Sequence, residues 1–310
     1  MPKTLIAIPV YNAEEFIART LLSCLNQTLK SEILVVDNCS TDTSREIVEK
    51  FQEQYNNINL VVNDRNLGRV GNWNRCLDLF DESPYEYIKF VFTGDELLPE
   101  CVEKVENVFN SNSNLSVVAW PYLYKDTKGR TSVARILNYS CRLSREDLIK
   151  TWFFPSNFAG AIICHTYSKK AIQQSRFNDL VLGAATFCDE VIIRGDSYHL
   201  NEVLSIYNLD GHSSHNKMFS YLYVLERSFT KAVCLEKNKE WIGRATYQKI
   251  RTDILLEAFL NSLKHSDVST FLRLPFKIFT ILAVFIKRAV GDLAWIIKKN
   301  WVVIKESIDN

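Results

Sequence analysis

The sequence predicts an α/β fold: a mostly parallel sheet flanked by helices, continued by a helical extension at the C-terminus. Three features predict it. Short apolar runs alternate with segments of helical periodicity through residues 5–92, the pattern left by strands joined through helical crossovers. Each apolar run is followed at once by polar and glycine residues, as strands facing a ligand edge are. From His215 onward helical spacing continues almost to the last residue.

In chain order, Leu5-Ile6-Ala7-Ile8 reads as the first strand. Residues 13–27 follow with helical spacing that gathers Phe16, Ile17, Leu21, Leu22 and Leu25 on one broad face. Ile33-Leu34-Val35-Val36 is the second strand, and Ser40-Thr41-Asp42 then reads as a helix start continued by residues 43–55. Ile58 to Val62 is a third strand, Val70 to Phe80 a third helix and Tyr87 to Phe92 a fourth strand. Right-handed crossovers make such a sheet mostly parallel. From about residue 113 the pattern changes. LSVVAWPYLYKDTKGRTSVARI reads as two strands around a turn at Asp126 to Gly129. Residues 144–154 and 166–175 read as helices, 187–196 as a short helix carrying acids, and NEVLSIYNL as a strand. No internal repeat or low-complexity linker divides the chain.

Bulk properties narrow the function. The chain has 310 residues, with 37 Lys plus Arg against 36 Asp plus Glu. That balance argues against a dedicated nucleic-acid binder, which carries a basic excess. The eight cysteines include no CxxC pair, so their spacing suits neither a zinc site nor a disulfide framework, and they read as reduced thiols of a cytosolic protein. MPKTLIAIPVYN enters a strand directly and lacks the parts of a signal peptide. No apolar run has the length of a membrane-spanning helix.

In a parallel sheet, ligands bind outside the carboxyl ends of the strands. The polar residues there form four groups: Pro9, Tyr11 and Asn12; Asp37, Asn38, Ser40 and Asp42; Asn66, Gly68 and Arg69; and Thr93, Gly94, Asp95 and Glu96. All are expected on one rim.

These residues carry a resemblance. The Pro-x-Tyr-Asn turn, the Ser-Cys-Leu-Asn-Gln helix end, the Val-Asp-Asn-Cys-Ser-Thr-Asp segment and Asn66-Leu67-Gly68 together resemble the opening of family 2 glycosyltransferases, which have the Rossmann-like GT-A fold. The resemblance is strong over residues 3–110 and collinear to about residue 215. It implies transfer of a sugar from a nucleotide donor to an acceptor hydroxyl, with inversion at the anomeric carbon. It divides the chain into a nucleotide-sugar-binding half (1–112), an acceptor-binding half (113–215) and a helical extension (216–310).

The resemblance also implies roles. Asp37 accepts hydrogen bonds from the nucleotide base, and Pro9 and Tyr11 shape the wall around it; the competing readings are a turn-forming aspartate and a tyrosine packed on the sheet. Arg69 suits pairing with the diphosphate or plain solvation. The segment ends Asn72-Trp73-Asn74 with Arg75 beyond, where the family has Ala-Arg-Asn, so either arginine is a phosphate candidate. Where the family carries Asp-x-Asp, this chain has Thr93-Gly94-Asp95. Asp95 is then the metal ligand, and Thr93 offers a hydroxyl to the sugar or ribose. One carboxylate suffices for Mg²⁺ or Mn²⁺ when the diphosphate and water complete the shell. The alternative is a solvated turn before a helix at Pro99. Asp189, in CDEVIIR, falls at the position of the general base, with Glu190 as runner-up; an acid complementing a helix N-terminus is the competing reading. In YNLDGHSSH, Asp210 stands in the register of a family histidine, and His212 is the candidate to touch metal or phosphate.

Residues 271–305 contain Arg273, Lys277, Lys287, Arg288, Lys298, Lys299 and Lys305 beside Trp295 and Trp301. Such a stretch suits an anionic membrane surface or packing against the catalytic domain or another subunit. The expectation is an enzyme on the cytoplasmic face of a bacterial-type membrane. It would use a UDP- or dTDP-linked sugar and a glycan or lipid-linked acceptor in surface polysaccharide or glycolipid synthesis. The rivals are a nucleotidyltransferase, whose Gly-rich, Lys-containing loop is absent, and a catalytically degenerate nucleotide-sugar-binding subunit, suggested by Thr93.

Overall fold

The computed structural model describes residues 2–134, 137–152, 162–173, 175–177, 183–211 and 247–248. The chain divides into two compact units, Met1–Ile254 and Leu255–Asn310; all described residues lie in the first. Beyond His215 only residues 247–248 are described, and they are helical; the rest of the expected helical region, and the basic stretch 271–305, lie outside the described residues.

The first half alternates as expected. β1 (Thr4–Val10), α1 (Ile17–Leu25), β2 (Glu32–Asp37), α2 (Ser44–Gln54), β3 (Ile58–Val62), α3 (Gly68–Glu82) and β4 (Tyr87–Phe90) follow one another. The strands pair in parallel as β3–β2–β1–β4. β1 is buried along its whole length, because helices cover both faces of the sheet. Ile6, Ile8, Ile33 and Val35 are fully buried, and each such side chain contributes roughly 1.5–3 kcal/mol. Ile17 and Leu21 of α1 close the core against them.

The second half is mixed. β5 (Glu96–Leu97), α4 (Cys101–Ser111), β6 (Leu115–Ala119), β7 (Tyr122–Lys125), β8 (Thr131–Ala134), β9 (Cys141–Leu143) and α5 (Arg145–Trp152) come first. A 3-10 turn (Ile162–Cys164), β10 (His165–Ser168), α6 (Lys169–Ile172), α7 (Gly183–Ile192), β11 (Asp196–His199) and β12 (Ser205–Asn208) follow. The large sheet runs β3-β2-β1-β4-β10-β6-β11-β9, and a second sheet runs β5-β12-β7-β8. β10 is antiparallel to both its neighbours, while β11 is parallel to β6.

Three expectations change here. Residues 166–168 are strand, and only Lys169–Ile172 is helical; burial of Thr166 and Tyr167 between two strands outweighs the helical spacing. The segment from 115 forms three strands, because the chain leaves the large sheet at Trp120-Pro121 and enters the second one. The helix expected at 187–196 begins earlier, at Gly183, and residues 196–199 form β11.

Lys89 sits at the junction of the two halves. It is 1% exposed, and its ammonium donates to the carbonyls of Phe90, Ile163 and His165, 5.0 Å from the centre of the Trp120 ring. Burial pulls its pKa down to about 8.

Candidate active site

The strand ends of the first half are joined by side chains. Asn12 has φ 47, a left-handed conformation that asparagine tolerates. There its Oδ1 accepts the Thr41 N–H at 2.8 Å, and its own N–H donates to Ser40 Oγ at 3.0 Å. Glu14 accepts the Thr43 hydroxyl at 2.6 Å and the Thr43 N–H at 2.9 Å; these bonds hold its carboxyl below the usual range. The loops after β1 and β2 therefore form one wall.

Asp37 ends β2 and is 1% exposed. Its carboxylate accepts the N–H of Ser40 at 3.1 Å and the Ser40 hydroxyl. This is a turn-forming arrangement, so the competing reading of Asp37 describes its present hydrogen bonds. A carboxylate has further lone pairs for a base. Pro9 is buried beside Val36, whereas Tyr11 is 48% exposed; packing of Tyr11 inside the sheet is thereby removed.

An asparagine relay then reaches the third loop. Asn38 donates to Asn66 Oδ1 at 2.9 Å and accepts the Leu67 N–H at 2.8 Å and Asn63 Nδ2 at 3.1 Å. Asn63 also donates to Asn72 Oδ1, and Asn72 Nδ2 donates to the carbonyls of Val10 and Val36. Asn66 Oδ1 accepts the Gly68 N–H at 2.8 Å, which sets the start of α3. Arg69 and Gly68 are exposed there, with the Arg69 guanidinium 5.2 Å from the Trp73 ring. Arg75 is half-buried further along α3. The tripeptide that departs from the family ending thus has its own work. Asn72 closes the relay, Trp73 packs on Phe92 and Phe177, and Asn74 bonds both backbone groups of Phe177.

After β4 the chain turns at Thr93, Gly94 and Asp95. Gly94 has φ 100, a conformation that a side chain disfavours. Asp95 is fully buried, and its Oδ1 accepts the N–H of Asn208 from the end of β12 at 3.1 Å. Arg19 Nη2 donates to Gly94 O at 2.9 Å, and the same guanidinium pairs with Asp210 at 2.9 and 3.2 Å. Asn208 Nδ2 bridges Gly94 O and Glu96 Oε1. A solvated turn of Asp95 and Glu96 therefore does not describe Asp95, which is fully buried, while Glu96 is half-buried. Asp210, in the register of the family histidine, faces Arg19; His212 lies outside the described residues.

Asp189 is fully buried. It is not at a helix start: it follows Gly183 by six residues in α7, so the helix-terminus argument falls away, since that effect is confined to the first turn. Glu190 beside it is half-buried. The preceding residue, Cys188, lies 2.8 Å from the Tyr167 hydroxyl, which is 3.3 Å from His165 Nδ1. Burial first, and then Cys188, holds the Tyr167 phenol well above its ordinary value. Phe187 of α7 stacks on Phe177 at 4.1 Å, and Phe177 docks on α3 through Asn74 and through the Trp73 ring. The helix of Asp189 is thus registered against the first half.

A sequence profile described as Glycosyl transferase family 2 matches residues 5–173, more than half of the chain. The chain belongs to glycosyl transferase family 2. An uncharacterized glycosyltransferase of Haemophilus influenzae is 31% identical over 130 residues, 42% of this chain and 50% of that protein. The GalNAc(5)-diNAcBac-PP-undecaprenol beta-1,3-glucosyltransferase of Campylobacter jejuni is 23% identical over 216 residues, 67% of this chain and 65% of that protein. The chain thus spans half to just under two-thirds of these relatives' lengths. Among solved structures, S. aureus TarS 1-349 in complex with UDP-GlcNAc superposes with TM-score 0.65 at 19% identity, covering 92% of this chain and 81% of that one. A mannosyltransferase, PcManGT from Pyrobaculum calidifontis, in complex with GDP-Man and Mn2+, gives TM-score 0.52 at 12% identity, covering 93% and 81%. This family 2 chain shares their α/β architecture.

The residues of this family 2 protein that sequence reasoning passed over are Thr20, Arg19, Asn63 and Asn208, and Asn72 entered it only as a departure from the family ending. They hold the rim from behind. The available signal was polar residues placed where an apolar face or strand end was expected, as at Thr20 in α1 and Asn72 in α3.

Proposed function

We propose that this family 2 chain transfers a sugar from a nucleoside-diphosphate donor to an acceptor hydroxyl, with inversion at the anomeric carbon. The observation that carries the proposal is the buried Asp95 in a turn held from α1 and β12, at the same sheet edge as Asp37 and the Asn66–Arg69 loop. Residues 1–112 serve the donor, 113–215 the acceptor, and 216–310 are an extension.

In this reading Asp37 accepts from the base, with Pro9 and Tyr11 beside it. Asn66 and Gly68 shape the loop from which Arg69 reaches the diphosphate. Thr93 offers its hydroxyl to sugar or ribose. Among the described residues no three His, Cys, Asp or Glu cluster as a metal cage. A single hard carboxylate at Asp95 fits a Mg²⁺ or Mn²⁺ ion that takes phosphate oxygens and water as its other ligands. Bound there, such an ion supplies positive charge to the departing diphosphate. His212 is a second candidate toward it. Asp189 takes the proton of the acceptor hydroxyl as its oxygen attacks the anomeric carbon, and the nucleoside diphosphate leaves from the opposite face.

A UDP- or dTDP-linked donor is supported by the UDP-GlcNAc complex of the TarS neighbour. A glycan or lipid-linked acceptor, and a place in surface polysaccharide or glycolipid synthesis, are supported by the undecaprenol-linked glycan named for the Campylobacter relative. No helix among the described residues is long and apolar enough to cross a membrane. The basic, Trp-containing C-terminal stretch then serves as a peripheral contact with the cytoplasmic face. A thermal-shift screen of nucleotide sugars, with and without Mn²⁺, tests the donor assignment. Stabilisation by a UDP- or dTDP-sugar that increases with Mn²⁺ is expected, and indifference to every nucleotide sugar would refute it. Binding without turnover on any acceptor would favour the degenerate subunit that Thr93 suggests.

A further inference from the structure

α1 carries polar side chains inside its buried face. Thr20 and Ser23 lie in α1, Gln27 follows the last helical residue, Leu25, by two positions, and Thr20 is fully buried. An amphipathic helix normally offers apolar groups in such a place. Each of the three instead bonds the chain that follows β4. Thr20 Oγ1 accepts the Gly94 N–H at 2.9 Å and donates to Asp95 O at 3.0 Å. Ser23 Oγ accepts the Leu97 N–H at 3.1 Å. Gln27 donates to Leu98 O at 3.0 Å and accepts the Val102 N–H at 3.1 Å. Arg19 adds a bond to Gly94 O at 2.9 Å. Residues 91–95 belong to neither strand nor helix; α1 bonds the Gly94 N–H, the Gly94 carbonyl and the Asp95 carbonyl, while the Val91 and Asp95 N–H groups bond the carbonyls of Ala7 and Phe92.

We propose that Thr20, assisted by Arg19, is a positioning residue for Asp95. The two hold the N–H and the carbonyl of Gly94 and thereby fix the carboxylate that would hold a divalent cation beside a nucleoside diphosphate. The inference rests on the reading of Asp95 as that cation's ligand. Ser23 and Gln27 hold the stem of the same segment, further from Asp95. Valine at position 20 keeps the shape but leaves the Gly94 N–H without its acceptor, so the turn shifts to find another. Mg²⁺ and ions like it demand near-ideal geometry, so a shift at Asp95 registers in cation affinity.

The test is calorimetric titration of Mn²⁺ into full-length protein saturated with UDP, with melting temperature measured alongside. Thr20→Val should weaken Mn²⁺ binding about tenfold or more, in the range seen when a ligand's supporting partner is removed. Thr20→Ser should restore it, and UDP affinity without metal should not change. Gln27→Met should lower the melting temperature yet leave Mn²⁺ affinity near the wild-type value. Wild-type Mn²⁺ affinity in Thr20→Val, with Asp95→Asn defective, would overturn the positioning role alone. Equal weakening by Gln27→Met would also overturn it, as a general loss of stability. Unchanged Mn²⁺ affinity in Asp95→Asn would overturn the metal reading and the inference with it. If Thr20→Val does not fold, Arg19→Met, at a partly exposed position, is judged by the same criteria.

Discussion

Asp95 and Asp189 are both fully buried carboxylates, yet they belong to different halves of the fold and are expected to fail differently. Asp95→Ala should abolish transfer with little loss of fold, because the turn is held through backbone groups of Gly94 and Asp95 and not chiefly through the carboxylate. Circular dichroism and a transfer assay check this. Asp189→Asn should retain donor binding and lose about 10²–10⁴-fold in rate, the usual contribution of a general base; a wild-type rate there, with Glu190→Gln inactive, would move the role to Glu190. Lys89 gives a pH prediction. Its folded-state pKa of about 8 lies below the ordinary 10.5, so the unfolded chain binds more protons between those values. Stability should therefore rise with pH from about 8 to 10.5, by on the order of 3 kcal/mol for this group. Urea unfolding of wild type and Lys89→Met should differ in slope across that window. At this scale the sequence showed which residues end the strands, but not how they are held. Asp37 read as a ligand group ahead of a turn former because of its place at a strand end, and its bonds to Ser40 depend on a loop conformation that no spacing encodes.

Among the elements, β1 to β4 and their helices were legible because strands buried on both faces are continuous apolar runs between helices of clear periodicity. The later strands were not. β9 has three residues and β5 two, too short for any alternation to register. β10 owes its extended form to the strands on either side of it. The helix of Asp189 was placed too late because Gly183-Ala184-Ala185-Thr186 lacks the apolar spacing that marked the rest, although alanine favours helix. The asparagine relay makes a prediction for α3. Asn72→Leu leaves the carbonyls of Val10 and Val36 and the Asn63 amide without this partner in a buried place. The cost should be about 1–3 kcal/mol, read by urea denaturation, with nucleotide binding weakened because the Asn66–Arg69 loop loses support. A neutral substitution would mean that the relay does not set that loop.

For the whole molecule, the α/β architecture and the family follow from the first half, while the extension 216–310 is argued from composition. Its basic residues should attach the full chain to anionic vesicles with roughly 1 kcal/mol each near the surface, screened by salt. Flotation at low salt, reduced at high salt with a salt-resistant remainder from Trp295 and Trp301, is expected; indifference to such vesicles would assign the segment to packing or to a subunit contact. The most direct measurement is release of nucleoside diphosphate from a panel of UDP- and dTDP-sugars, with bacterial membrane extract as the acceptor source. Wild type should release it from at least one donor only when extract and Mn²⁺ or Mg²⁺ are present, and Asp95→Ala should not. No extract-dependent release from any donor, or equal release by Asp95→Ala or in chelator, would contradict metal-dependent glycosyl transfer at this strand edge.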